Sequence, residues 1–176
     1  MTVYPPTRKS TVWMPARGMV SQTTNGPATG TVELATNQTM VTTLDFDSVT
    51  IEYAQFSVGF PKSWNGGTIT FIPIWTASGG VAAETVAWAL QAKSLVDGDD
   101  LDGAWGTPVS VSDSFTSLNK EMIGAESAVI TILGTKTWPS EQRLRIYRDT
   151  AADNLSVDAK LVGVWVLFTE DSYTDA

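Results

Sequence analysis

The sequence predicts an all-β fold, a jelly-roll-like β-sandwich with an extended N-terminal arm. Three observations predict it: short apolar runs recur along the chain, clusters of Gly, Pro, Asn, Asp and Ser separate them, and several runs alternate apolar with polar residues. A chain of 176 residues fits one such domain. The runs indicate eight or nine strands, centred near residues 32, 43, 56, 71, 88, 109, 130, 146 and 165.

The first 35 residues are the irregular part of the chain. Proline and glycine break the stretch PPTRKSTVWMPARGM, and no sustained alternation follows. We therefore expect residues 1–35 to run as an extended arm over the sandwich, with Trp13 and Met14 as its apolar anchor. Residues 36–176 are expected to form the single sandwich domain.

Two stretches in the middle of the chain alternate with the two-residue period of a strand. In YAQFSVGF, one face carries Ala, Phe and Val, and the other carries Gln, Ser and Gly. In TITFIPIWT, Phe71 and Trp75 are predicted to face the core, with Ile72 and Ile74 on the other side. Pro73 lacks the N–H that a ladder needs, so this strand is expected at a sheet edge or beside a bulge.

The segment VAAETVAWALQAKSLV, residues 81–96, is ambiguous between helix and strand. Its composition favours a helix, because Ala, Leu, Glu, Gln and Lys are good helix formers. Its alternation favours a strand, since Val86, Trp88, Leu90 and Ala92 would share one face. The DGDD turn signal that follows supports the strand, which is our prediction.

The last three runs are also predicted as strands. LRIYRD (144–149) alternates Leu and Ile with Arg and Tyr, whereas SAVITIL (127–133) and KLVGVWVLFTE (160–170) are apolar on both faces. A strand that is apolar on both faces must be covered on both sides. We expect the sandwich interior to cover one side of the last strand and another subunit to cover the other.

The residue inventory excludes most catalytic chemistry. The chain has no cysteine and no histidine, which rules out disulfides, thiolate metal sites, Ser-His-Asp triads and imidazole proton transfer. It also lacks the glycine-rich loops that bind phosphates. We expect no enzymatic activity, no cofactor and no metal. The remaining acid–base candidates for a hydrolase are Asp45, Asp47, Glu84, Glu126 and Asp149.

The acidic run DGDDLDG, residues 97–103, has two interpretations. Its carboxylates suggest a calcium loop, but Pro108 occupies the position where an EF-hand needs a bidentate Glu. The alternative is an exposed turn whose Asp side chains cap their own backbone. We favour the turn.

The charge of the chain argues against two classes of partner. Eleven Lys and Arg against 19 Asp and Glu give a net charge of −8, which disfavours nucleic acid and anionic membrane surfaces. No apolar run approaches the roughly 18 residues of a membrane span. We therefore expect a soluble protein that is made in a cytosol.

Three blocks of the sequence carry a resemblance to a known family. LDFD…EYAQFSVGFPKSWNGGTITFIPIWT, VAWALQAKSLVDGDDLDGAWGTPVSVSD and AESAVITILGT…RLRIYRDTAADNLSVDAKLVGVWVLFT together span about residues 44–169. They resemble small virion structural proteins of tailed bacteriophages and prophages, and the N-terminal part is similar only at WMPARGM.

The resemblance implies a non-enzymatic capsid decoration, or cement, protein on the exterior of the virion, made in the bacterial host cytoplasm. Such a protein would assemble as a homotrimer and stabilise the lattice of the phage major capsid protein. Closed symmetry would then hide apolar faces between subunits. The side chains expected at such interfaces are Trp13, Met14, Ile72, Ile74, Val162, Val164, Val166 and Phe168.

The alternative function is a tail-fibre module that binds a receptor or carbohydrate. The chain has seven tryptophans, and three of them, Trp64, Trp105 and Trp138, lie beside turn residues where a ring could stack on a sugar. The competing interpretation is that each ring packs under its own loop. Exposed and coplanar rings would favour sugar binding, and buried rings would favour decoration.

Overall fold

The computed structural model describes residues 7–172, and the fold of this part of the chain is all-β. A single-turn 3-10 helix, Ala16–Gly18, is its one helical element, and no helix in this part is long and apolar enough to cross a membrane. The strands are β1 (Arg8–Pro15), β2 (Val20–Ser21), β3 (Ala28–Leu34), β4 (Thr39–Phe46), β5 (Tyr53–Val58), β6 (Thr70–Ala77), β7 (Thr85–Leu95), β8 (Val109–Ser114), β9 (Met122–Ile123), β10 (Glu141–Arg148) and β11 (Ala159–Glu170).

The strands form two antiparallel sheets that pack face to face. Sheet A has the order β3-β4-β11-β6-β9, and β1 also pairs with β11; sheet B has the order β2-β5-β10-β7-β8. The orders β4-β11-β6-β9 and β5-β10-β7-β8 are those of a jelly roll, in which successive strands mostly alternate between the two sheets. The predicted fold class, an all-β jelly-roll-like sandwich, is therefore confirmed.

The N-terminal segment differs from the expected arm. From residue 8 onward it forms three strands: β1 pairs along β11 from Arg8↔Glu170 to Pro15↔Gly163, β2 extends sheet B, and β3 extends sheet A. The reason is that β4 covers only the start of β11, which leaves the edge of β11 from Gly163 onward free for β1. Residues 1–6 of the predicted arm lie outside the described residues.

The core lies between the sheets and is formed by alternate residues of the strands. Trp75 of sheet A and Trp88 of sheet B are fully buried, and Phe46 meets Trp88 edge-on at 5.2 Å between ring centroids. The predicted strand in residues 81–96 is confirmed as β7, because burying its alternating face outweighs its helix propensity. Its predicted inward residues, Val86, Trp88, Leu90 and Ala92, are all buried.

Strand β11 has two apolar faces, as predicted, but they differ in what covers them. Its inward side chains Val164, Val166 and Phe168 belong to the core, and Met14 of β1 packs against the same core. Val164, Val166 and Phe168 are therefore buried within this chain, and Met14 is partly buried against them. Val162 lies on the outer side, next to a bulge between Leu161 and Gly163. The partly buried Trp13, Ile72 and Val162 and the almost fully buried Ile74 form the part of the predicted interface that faces outward.

The strand predicted at 127–133 is not a strand of either sheet. The segment makes isolated bridges instead, from Ile130 to Ile69 beside sheet A and from Leu133 to Lys93 of sheet B. It thus passes from one sheet to the other, and Ile130 and Ile132 fill the core between them. Its apolar composition reflects burial in the core between the two sheets rather than pairing within a strand ladder.

A buried ion pair fixes the connection between β10 and β11. The guanidinium of Arg148 is fully buried and donates to both carboxylate oxygens of Asp153, at 2.7 and 2.9 Å. It also donates to the backbone carbonyls of Leu155 and Val157. These bonds satisfy a charge that would otherwise be costly to bury, and they hold the loop against the sandwich.

Candidate functional site

The outer face of sheet B carries a row of polar side chains that crosses the strands. The strand register places Val20 opposite Gln55, Gln55 opposite Arg145, and Arg145 opposite Gln91. The next row along the strands brings Tyr53 opposite Tyr147, with ring centroids 5.1 Å apart. We call this surface the sheet-B platform and define it as Tyr53, Gln55, Gln91, Trp105, Arg145 and Tyr147.

Arg145 is the centre of the platform. Its guanidinium carbon lies 4.5 Å from the ring centroid of Tyr53 and 4.7 Å from that of Trp105, so it contacts both rings by cation–π interaction. Its Nε and Nη2 atoms both donate to Oε1 of Gln91, at 3.1 and 2.6 Å. These contacts fix the planar guanidinium in one orientation.

Trp105 comes from the loop between β7 and β8, and the sheet holds that loop in place. The buried ammonium of Lys93 donates to the carbonyls of Leu101 and Gly103, at 2.9 and 2.8 Å, and lies 4.9 Å from the Trp105 ring. Gln91 donates from Nε2 to the carbonyl of Gly106 at 2.9 Å. The indole is therefore positioned before any ligand arrives, which lowers the entropic cost of binding.

A pocket of about 240 Å³ adjoins the platform near strand β2. Its volume lies just below the range of about 300 to 1,000 Å³ that is typical of sites for drug-sized ligands, so it suits a small group such as one sugar ring. The side chain of Gln55 belongs to both the pocket and the platform. The pocket is lined by Gly18, Val20, Gln55, Phe56, Ser57 and Arg143.

Burial changes the pKa values of two platform residues. It lowers the pKa of Arg145, while the neighbouring Tyr53 and Tyr147 act in the opposite direction. It raises the pKa of Tyr147, and the charge of Asp149 raises that pKa further. Arginine remains protonated at any ordinary pH, and the raised pKa keeps the Tyr147 hydroxyl protonated. Arg145 is thus a cation at neutral pH, while the buried Tyr147, in contact with the ring of Tyr53, supports the platform from below.

The other two predicted stacking residues lie outside the platform. Trp64 is half-buried and packs on Phe60 at 4.6 Å between ring centroids, as expected of a ring that anchors its loop. Trp138 is 59% exposed, and Nζ of Lys62 lies 4.7 Å from its ring centroid. No ring contact joins Trp64, Trp105 and Trp138 to one another within residues 7–172. Their role in binding stays a prediction.

A second exposed surface lies on the outer face of sheet A and is apolar. Trp13 of β1 stands opposite Trp165 of β11, with ring centroids 5.2 Å apart, and Trp165 is 39% exposed. Ile72 pairs beside Trp165, and Ile123, at the far edge, is 65% exposed. We call Trp13, Ile72, Ile74, Ile123, Val162 and Trp165 the sheet-A patch. A pocket of about 240 Å³ on this face is lined in part by Val32, Val41 and Val162.

Four of the five predicted acid–base candidates are engaged in structural contacts, and the fifth, Asp149, lies near Tyr147. Asp45 pairs with Lys160, and Glu84 accepts the N–H of Val81 at 2.6 Å. Hydrogen bonds from the backbone N–H groups of Thr50 and Val49 lower the pKa of Asp47. A hydrogen bond from Lys9 likewise lowers the pKa of Glu126. A general acid needs a raised pKa, so neither Asp47 nor Glu126 is suited to that role.

The acidic loop behaves as the turn interpretation predicts. Asp99 accepts the N–H of Val96 and Asp100 accepts that of Asp102, both at 2.9 Å. Within residues 7–172, no three acidic side chains come together in a group that could hold a metal ion. The structure therefore gives the calcium interpretation no support.

Sequence reasoning missed most of the platform. It identified Trp105 from its place beside a turn, and it placed Arg145 and Tyr147 on the outward face of their strand. The available signal was that two predicted strands, YAQF and LRIYR, combine Tyr with Gln or Arg at outward positions. What it could not supply is the register that brings Tyr53 and Gln91 beside Arg145.

Comparisons with known proteins identify the fold alone. No family model and no curated protein matches the chain. An arabinose-bound α-L-arabinofuranosidase, MgGH51, is similar over 86% of this chain and 23% of its own, at 9% identity and a TM-score of 0.51. The CBM36-1 domain of a xylanase from the hindgut metagenome of Trinervitermes trinervoides is 15% identical over 90% of this chain and 96% of its own, with a TM-score of 0.45. A family 11 carbohydrate-binding module from Clostridium thermocellum is 13% identical over 89% of this chain and 94% of its own, with a TM-score of 0.43.

Proposed function

We propose that the chain is a non-catalytic binding module that holds a saccharide on the sheet-B platform. One observation carries the proposal: Arg145 stacks between Tyr53 and Trp105 and shares Gln91 with the loop that presents Trp105. Rings and hydrogen-bonding groups are thus fixed together on the outer face of sheet B, where five of the six platform residues are partly exposed.

This combination matches the chemistry of a sugar. A pyranose presents C–H groups on its faces, which pack on aromatic rings, and hydroxyl groups at its rim, which need donors and acceptors. The platform supplies the rings of Tyr53 and Trp105 and the polar groups of Gln55, Gln91 and Arg145. Because the polar row crosses the three strands β5, β10 and β7, it suits an extended chain of sugars better than a single ring.

The absence of carboxylates from the platform supports binding without catalysis. Hydrolysis of a glycosidic bond by the usual route needs two carboxyl groups that flank the bond. None of the six platform residues is acidic, and four of the five predicted acid–base candidates, Asp45, Asp47, Glu84 and Glu126, are held in the structural contacts described above. The fifth, Asp149, lies beside Tyr147 as a single carboxylate, whereas the usual route needs two.

Affinity electrophoresis tests the proposal. The protein would be run through gels that contain galactomannan, xylan, mixed-linkage glucan, hydroxyethylcellulose or polygalacturonate. We expect at least one polysaccharide to retard the wild type, Trp105→Ala to abolish the retardation, and Trp165→Ala on the opposite sheet to retain it. Equal retardation of both variants, or none of the wild type by any polymer, would overturn the proposal.

Capsid decoration by a homotrimer stays a second candidate. The observation that favours it is the sheet-A patch, where Trp165 and Ile123 are exposed although the chain is otherwise acidic. Light scattering coupled to size exclusion would report a trimer if the patch is a subunit interface. At about 10 μM, the protein concentration is 10⁵-fold above a subunit dissociation constant of about 0.1 nM, so a tight trimer would be fully assembled. A monomer at that concentration would therefore exclude a tight assembly.

A further inference from the structure

The outer face of sheet B holds a cluster of basic side chains. The chain has a net charge of −8 and only 11 basic residues. Three of these, Lys93, Arg143 and Arg145, lie on adjacent strands of the same face, with Arg143 opposite Lys93 in the register. The three side chains differ in whether a carboxylate of the protein neutralises their charge.

Arg143 is neutralised, because its Nε lies 3.0 Å from a carboxylate oxygen of Glu141. Lys93 donates to two backbone carbonyls, which satisfy its hydrogen bonds but carry no net charge. Arg145 contacts an amide oxygen and two rings. Within residues 7–172, neither Lys93 nor Arg145 forms an ion pair with a carboxylate.

The lack of a counter-ion at Arg145 has an electrostatic consequence. Partial burial lowers the pKa of Arg145, and no carboxylate contributes an opposing effect. Half-burying a cation without a counter-ion is unfavourable, and an incoming anion would relieve that cost. Arg148, by contrast, is fully buried, but the carboxylate of Asp153 neutralises its charge.

The donors of Arg145 are also partly unused. Its Nε and Nη2 are directed to Gln91, whereas Nη1 makes no hydrogen bond in the described part of the chain. A guanidinium binds oxyanions through such donors, and these charge-assisted bonds are stronger than those to neutral oxygens. The nearby Asp99 and Asp100 turn their carboxylates to their own backbone instead.

We infer that the sheet-B platform selects saccharides that carry an oxyanion, either a carboxylate or a sulfate, and that Arg145 binds it. This inference rests on the proposed function, because it names the class of sugar for the same site. Tyr53 and Trp105 would pack on the sugar ring while Arg145 binds its charged group. A neutral sugar would leave the cation without a counter-ion.

Matched pairs of polymers test the inference. Polygalacturonate and its methyl ester share one backbone and differ in charge, and a sulfated galactan and agarose-derived oligosaccharides form a similar pair. We expect the charged member of at least one pair to bind about tenfold or more tighter, as a charge-assisted bond would give. The pair that shows the difference distinguishes carboxylate from sulfate.

Variants connect the preference to the residue. Arg145→Gln should remove the preference for the charged polymer, and Arg145→Lys should keep part of it. Lys120→Gln, at an exposed position outside the platform and its pocket, should leave the preference unchanged, with thermal unfolding confirming that each variant folds. Equal binding of both members of each pair, still lost in Trp105→Ala, would overturn the inference and leave the proposed function standing. Failure of every charged and neutral polymer to bind would overturn both.

Discussion

The indole of Trp13 lies against that of Trp165 on the outer face of sheet A, with ring centroids 5.2 Å apart, and the two residues are direct partners in the β1–β11 ladder. The contact attaches the N-terminal segment to the last strand of the sandwich. Gly163 lies beneath the Trp13 ring and beside the backbone of Met14. This close approach explains why a strand that is otherwise apolar and β-branched has a glycine in the middle.

Gly163→Ala should destabilise the fold. A Cβ atom at this position would lie 2.6 Å from the carbonyl oxygen of Met14 and closer still to the ring of Trp13, so β1 would have to move. We expect a loss of about 1 to 3 kcal/mol in the free energy of unfolding, measured by urea denaturation. Gly59→Ala is the control, because a Cβ there meets nothing within 4 Å. Equal stability of the two variants would show that β1 is not held against β11.

Removing one partner of the buried pair Arg148–Asp153 should be more costly. Both side chains are almost fully buried, with exposures of 0% and 2%, so Arg148→Met leaves a carboxylate in the core without its cation. We expect a loss of about 3 to 5 kcal/mol. Arg143→Met, which breaks the partly exposed pair with Glu141, should cost less than about 1 kcal/mol. Similar midpoints in chemical denaturation for the two variants would contradict this assignment.

Much of the sandwich could be predicted from the sequence, because burial of one sheet face imposes a two-residue period on it. Trp75 and Phe71 were predicted in the core and are fully buried. Strand β1 was missed for a physical reason. Its residues Val12, Trp13 and Met14 are apolar in succession, since one side packs on the core and the other on Trp165, so no alternation marks the strand.

The candidate site was harder to predict, because its residues come together only through strand pairing. Arg145 and Gln91 are 54 residues apart in the chain and become neighbours through the β10–β7 ladder. A shift of the register by one residue would turn Arg145 into the core. The outward position of Arg145 follows from the alternation of its strand, whereas its partners on β5 and β7 depend on a topology that a single sequence does not specify.

The core assignment of Trp75 can be measured directly. Its ring is fully buried, and its Nε1 donates to Asp113 at 2.8 Å. Trp75→Ala should therefore cost about 3 to 5 kcal/mol, because it removes a large buried side chain and leaves a cavity. Trp138→Ala is the matched control, since that ring is 59% exposed. A cost below about 1 kcal/mol for Trp75→Ala would mean that the two sheets do not pack as described.

Asp47 should contribute a pH-dependent part of the stability. The N–H groups of Thr50 and Val49 lower its pKa in the folded state, so its contribution is present at neutral pH, above the unfolded-state pKa. That contribution is lost as the pH falls through the lowered folded-state pKa. Between about pH 5 and pH 2, the free energy of unfolding of the wild type should therefore fall more steeply than that of Asp47→Asn. Parallel curves for the two proteins would show that these hydrogen bonds do not lower the pKa of Asp47 in the folded state.

Lys93 should keep Trp105 in place before any ligand binds. Its buried ammonium donates to the carbonyls of Leu101 and Gly103, so Lys93→Met preserves the length of the side chain and removes both bonds. We expect faster hydrogen exchange in residues 97–106, which form the loop, and little change in the core strands, because the sandwich does not depend on this loop. Lys120→Met, at an exposed position, should leave exchange unchanged throughout. If exchange in the loop is the same in Lys93→Met and the wild type, Lys93 does not hold Trp105 in place, and other contacts, such as that of Gln91 with Gly106, order the loop.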